Sequence, residues 1–132
     1  MKRRLDWPER MNEALERAQS RAFSESYHCA QFAADVVLAM TDVDPLPVRH
    51  DTVAAAYAHM RDTHARVEEA LAAIFGDPIH PAHARRGDVV LSENGAIGIC
   101  MGQRSAFISS SGGLEYEPTL EQVSVYRVPF DA

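Results

Sequence analysis

From Trp7 the chain returns to an apolar residue every four positions, at Met11 and Leu15, and Ala18 and Ala22 continue the stripe. That period predicts a helix with one buried face, with Asp6 placed to cap it and Pro8 suited to its first turn. A second helix is expected from Cys29 to about Thr41, where Phe32, Ala33, Val36, Val37 and Met40 make a broad apolar face. The prolines of DVDPLP, residues 42–47, are expected to stop it, since neither can continue a helix. Helical spacing then recurs twice, at Val53, Tyr57 and Met60 and at Val67, Leu71 and Ile74, with Gly76 placed as a C-terminal stop. Two short helices follow from this.

At DPIHPAHARRGD, residues 77–88, two prolines and a glycine interrupt the helical pattern, and beyond Asp88 the period becomes two. DVVLS and AIGICMG flank ENG, and an Asn-Gly pair between apolar runs signals a hairpin because both residues tolerate positive φ. RSAFISS, LEYE and VSVYRV supply further strands, separated by SSGG and EPTLEQ. Helices first and strands afterwards predict a single α+β domain over 1–132, with N-terminal helices (1–76) packed on a C-terminal antiparallel meander of about five strands (77–132). At this length a chain buries roughly two thirds of its unfolded surface, so no metal or disulfide is needed to fold it.

Charge and composition narrow the function classes. A net charge of -6 argues against general binding to nucleic acid or an anionic membrane, which reward clustered Lys and Arg. The KRR cluster at residues 2–4 reads as a solvated terminus. LDWPERMNEAL, which follows it, has no apolar run long enough for a signal peptide or a membrane span, so synthesis in a cytoplasm is expected. Cys29 and Cys100, 71 positions apart, fit neither a metal knuckle nor a disulfide framework. No cofactor is expected.

Cys29 is the candidate for chemistry. A thiol in the first turn of a helix feels the positive end of the dipole and free N–H groups, which favour its thiolate. The alternative is a small apolar residue on the same stripe as Phe32, Val36 and Met40, since free cysteine is commonly buried. His28 is adjacent, but neighbouring residues at a helix start diverge by about 100°, so it reads as a solvated loop histidine. His80 and His83 lie on a proline-containing loop that could fold back toward the helix terminus, and as metal ligands they lack a third partner at ligand spacing. His59 and His64 read as surface residues. Asp88 is either a catalytic carboxylate or, the plainer reading, the acceptor of a local turn hydrogen bond. The glycine-rich SSSGG at 109–113 opens no helix and makes a poor phosphate loop.

The order of these elements resembles the NlpC-type papain-like cell-wall peptidases. Their pattern is Asp-Cys-Ser-Gly-Phe on a helix, Gly-Asp-Leu/Val before the first long strand and His-Val-Gly-Ile-Tyr on its partner. Cys29, Phe32, Gly87, Asp88, Val89, Gly98 and Ile99 match it. A more specific resemblance, over nearly the whole chain, is to a small family of phage and prophage tail-operon proteins with the patterns CxxFAADWVLAMTGxDP, RGDVVL and ALGICxG. The corresponding segments here are CAQFAADVVLAMTDVDP, RGDVVL and AIGICMG.

The resemblance implies a papain-like fold with the Cys29 end of the second helix beside the start of the second strand. It also exposes a departure: the histidine that serves the peptidases as general base is Ala96 here. A methyl group takes no proton from a thiol, and a helix terminus alone contributes less than about 1 kcal/mol, under one pKa unit. The expectation is therefore a phage or prophage tail component on a degenerate peptidase fold, acting at the tail tip in assembly or genome delivery, with Cys29 a vestigial nucleophile. The alternative is an active cysteine peptidase or amidase on peptidoglycan stem peptides. Other tail-tip proteins are the expected partners, with peptidoglycan a further one. The expected locations are the virion tail and, during assembly, the host cytoplasm. Trp7 and Phe130, each an aromatic near arginine at a chain end, are candidate partner contacts.

Overall fold

A computed structural model describes residues 1–21, 24, 27–46, 49, 52–63 and 66–130. Ala22 and His64 lie outside the described residues, as do the side chains of Tyr57 and Met60. Four helices, α1 (Trp7–Gln19), α2 (Cys29–Thr41), α3 (Val53–Thr63) and α4 (Val67–Phe75), precede a five-stranded antiparallel sheet. Its strands are β1 (Val89–Leu91), β2 (Ile97–Cys100), β3 (Arg104–Ile108), β4 (Leu114–Pro118) and β5 (Ser124–Tyr126). The fold is the α+β arrangement that the change of period predicts.

The apolar stripe of α1 buries Met11, Ala14, Leu15 and Ala18, as its four-residue spacing requires. Asp6 occupies the cap position without capping; its carboxylate instead accepts from Arg10 Nε at 2.9 Å. α2 lies between α1 and the sheet, so nearly every side is enclosed: Phe32, Val37 and Met40 have no exposed surface, and even Gln31 and Thr41 are buried. Its end is not set by proline. Asp42 turns left-handed (φ 64°) three residues before Pro45, and its carboxylate accepts from Arg10 and pairs with Arg4. The tail-operon pattern carries glycine at this position, which is the residue a left-handed C-terminal turn favours. Gly76 ends α4 as predicted, with φ 92°, but Ile74 is exposed and Leu71 carries the burial of that helix.

The sheet order is β4-β3-β2-β1-β5. The first four strands run as a meander, and β5 returns to pair with β1, Val89 opposite Tyr126 and Leu91 opposite Ser124. Within the β1–β2 hairpin only Gly95 takes positive φ (85°), and its N–H donates to the Ser92 carbonyl. The Asn-Gly pair therefore forms a turn in which one residue, not two, is left-handed. Alternation then divides the core. Val89, Leu91, Ile99, Ala106 and Tyr126 face the helices, while Val90, Cys100, Phe107 and Val125 form a second cluster on the opposite face.

Gly98 is fixed by that second cluster. A Cβ there would fall 2.5 Å from the Ala106 carbonyl oxygen and 2.6 Å from the Phe107 ring. Gly98→Ala is expected to cost about 1–3 kcal/mol, the usual penalty for forcing atoms into a packed core. Chemical denaturation checks this, and Phe107→Leu should relieve part of it by removing the obstructing ring.

Candidate functional site

Cys29 opens α2 with its side chain half-buried, near enough to Ile97, the first residue of β2, for that residue's backbone N–H to act on the thiol. The helix terminus and the second strand thus meet as the motif order implies. Burial pushes the thiol above the ordinary cysteine value, outweighing the downward pull of hydrogen bonds from the N–H groups of Ile97, Ala30 and Cys29 itself. Among the described residues, no charged side chain offsets that burial. The thiol is therefore neutral at physiological pH, whereas nucleophilic attack needs the thiolate.

Ala96 precedes Ile97 in sequence but not in orientation. Ile97 packs into the cluster shared with α2, whereas the Ala96 methyl packs against the second cluster across the sheet. The residue beside the thiol is Ile97. His28, expected in solvent, is 5% exposed, and Tyr27 before it is buried to the same extent. It stands in the cap position, extended at φ -104° and ψ 177°, and makes no side-chain cap to the helix.

His80 and His83 do not fold back toward Cys29. Ile79 and Ala84, which flank them, pack into the second cluster, so the sheet separates both imidazoles from α2. Both are exposed, with ring centroids 6.4 Å apart, and His80 Nδ1 accepts from the Ala82 N–H at 3.0 Å. His59 is exposed. Among the described residues no three His, Cys, Asp or Glu side chains gather as metal ligands do. Cys100 is buried in the second cluster, and both thiols are free.

Asp88 has the most elaborate surroundings. Its carboxylate has no exposed surface and accepts from Arg3 Nη2 at 2.8 Å, Arg127 Nε at 2.9 Å, the Arg85 N–H at 2.8 Å and the Val128 N–H at 3.3 Å. The turn hydrogen bond expected of it exists, from Arg85, but two long-range ion pairs join it. Arg3 completes the arrangement by donating to the carbonyls of Val128 and Arg86 at 2.9 and 2.6 Å. Its guanidinium lies between two rings, 4.3 Å from the Trp7 centroid and 4.0 Å from that of Phe130. Gly87 makes this possible, since a Cβ there would sit 2.5 Å from Arg3 Nη1.

The expectation of a solvated KRR terminus is therefore corrected at Arg3, whose side chain is 1% exposed because Asp88 draws it inside. Burial lowers its pKa, opposed chiefly by the neighbouring Asp88 charge. Trp7 and Phe130, set apart as partner contacts, meet each other edge to face at 6.0 Å with Arg3 against both.

A family model described as a domain of unknown function, DUF6950, matches residues 2–128. The chain belongs to this family. No curated protein matches it. The DUF6950 span includes Arg3, Gly87, Asp88 and Arg127, all the charged members of the buried cluster and the glycine that admits them. Sequence reasoning missed Arg3 and Arg127 in this DUF6950 chain. The available signal was Asp88 itself: an acid entering a strand buried on both faces needs a cationic partner. No helix among the described residues is long and apolar enough to cross a membrane.

Proposed function

We propose that the chain is a phage or prophage tail component, placed at the tail tip, built on a degenerate NlpC-type peptidase fold and acting in tail assembly or genome delivery. The tail context rests on the three ordered segments CAQFAADVVLAMTDVDP, RGDVVL and AIGICMG. The loss of chemistry rests on one observation: Cys29, in the place the resemblance gives the nucleophile, is half-buried at the start of α2, where burial raises its thiol's pKa and no charged group opposes it among the described residues. A cysteine peptidase needs a base within about 3 Å of its thiol to form the thiolate and later to protonate the leaving amine. The His80/His83 loop, the source of a base in the peptidase alternative, packs on the other face of the sheet.

In this reading the fold serves as a scaffold. Trp7 and Phe130 are both partly exposed and share one end of the molecule with Arg3, which suits them to rest against another tail-tip protein. Peptidoglycan is a surface the inherited fold can touch without cutting.

Virion composition tests the proposal. Purified particles should contain the protein, and its deletion should block tail assembly or genome delivery. Particles that lack it, or a deletion that leaves infectious yield unchanged, would contradict the tail assignment. Release of stem peptides from cell walls that Cys29→Ala abolishes would replace the scaffold with the peptidase.

A further inference from the structure

We propose that the seat of Arg3 is an interaction site that also takes Arg3 from a second copy of this chain, so that adjacent copies exchange the segment before α1. Within one chain that segment is fastened to distant parts of the molecule. The Arg3 N–H donates to the Pro129 carbonyl and the Arg4 N–H to the Met40 carbonyl, each at 2.8 Å. The Arg3 guanidinium reaches Asp88 and the carbonyls of Val128 and Arg86. The link onward into α1 is slighter: the Trp7 N–H donates to the Arg4 carbonyl at 3.1 Å across a turn at Leu5 and Asp6. Leu5 is 104% exposed, so its side chain adds nothing to keep that turn closed. Straightening the turn gives up this one backbone hydrogen bond, while the bonds of the seat form again with an incoming copy, the usual low-cost route of segment exchange.

The seat selects arginine and not merely a positive charge. A carboxylate and two carbonyls accept from the guanidinium nitrogens, and the Trp7 and Phe130 rings lie 4.3 and 4.0 Å from its central carbon. Gly87 leaves the space that the planar group fills. A lysine ammonium has neither the fork nor the flat faces to use these partners together. Every copy carries Lys2-Arg3-Arg4, so each contact made within one chain is also available between two. What favours the closed form is proximity, since a short tether acts as an effective concentration in the millimolar range. Dilute copies therefore keep their own segment, and copies packed side by side in an assembly exchange it.

Sedimentation and peptide competition test this on the full chain. At about 1 mM the chain should contain a dimer that dissociates on dilution to micromolar concentration, and Arg3→Ala should weaken that dimer about tenfold or more. The peptide Met-Lys-Arg-Arg-Leu-Asp, acetylated and amidated, stands in for the second copy. It should bind the Arg3→Ala chain with saturable amide shifts at Gly87 and Val128. Replacing the peptide's first arginine by alanine should weaken it about tenfold or more, and so should titrating the unsubstituted chain, whose own Arg3 competes for the seat. If Arg3→Ala fails to fold, Arg3→Lys, which keeps the charge, replaces it in both experiments. A chain that stays monomeric at about 1 mM, a dimer that the Arg3 substitution leaves unchanged, or a peptide that binds equally well without its arginine would each overturn the proposal.

Discussion

Asp88→Asn is expected to lower the free energy of unfolding by about 3–5 kcal/mol, the cost of leaving a buried charge without its counterion. The substitution keeps size and shape, so the loss would report charge rather than packing. Arg3 is what makes the figure large: its side chain is 1% exposed, and once Asp88 is neutral the guanidinium has carbonyls and ring faces but no anion. Arg127→Met should cost much less, because that side chain is 31% exposed and its charge is partly solvated already. Urea unfolding at neutral pH measures both. The midpoint should fall with an unchanged denaturant slope, and a loss under about 1 kcal/mol in Asp88→Asn would mean that water reaches the cluster after all.

Gly87→Ala is expected to cost about 2–4 kcal/mol from two sources. Its φ of 92° is unfavourable for a residue with a Cβ, and the new methyl carbon would fall 2.5 Å from Arg3 Nη1 and 3.2 Å from Met40 Sδ. Arginine side chains usually yield to such a clash. This one is held by Asp88, two carbonyls and two rings, so it yields only by leaving its site. A double-mutant cycle separates the sources. In an Arg3→Ala background the steric part should vanish, leaving about 1–2 kcal/mol of backbone strain, and purely additive costs would show that Arg3 does not occupy the space above Gly87.

These two residues also mark where the sequence stops being legible. α1 and α2 are readable because the spacing of Met11, Leu15 and Ala18, and of Phe32, Val36 and Met40, is the spacing of a buried helical face. The β1–β2 hairpin is readable because Gly95 must turn the chain. Arg3 is not readable, since its partner is 85 residues away and nothing local distinguishes it from Lys2 or Arg4. The return of β5 to β1 is a choice of neighbours among strands with similar patterns, made by tertiary packing of Tyr126 and Val128 rather than by local sequence.

At the candidate site, the meeting of Cys29 with the start of β2 follows from motif order. Which residue faces the thiol depends on strand parity at the first residue of β2, and a shift of one exchanges Ala96 for Ile97. The burial of His28 is likewise a fact of tertiary packing at the entry to α2 that its flanking sequence does not carry.

The most direct measurement of the central claim, that Cys29 at the start of α2 retains its proton, is the pH dependence of its alkylation by iodoacetamide, followed by site-resolved mass spectrometry. Burial raises the folded thiol's pKa, so the rate at neutral pH should be lower than that of an unfolded cysteine peptide and should climb only above the ordinary thiol range. The same shift has a linked consequence: the unfolded thiol ionises first, so any stability it contributes is intact below the ordinary cysteine pKa and is lost as pH rises through the folded one. An apparent pKa above that of free cysteine is the predicted result. One well below it would mean that a cation or a base reaches Cys29, and would contradict the account.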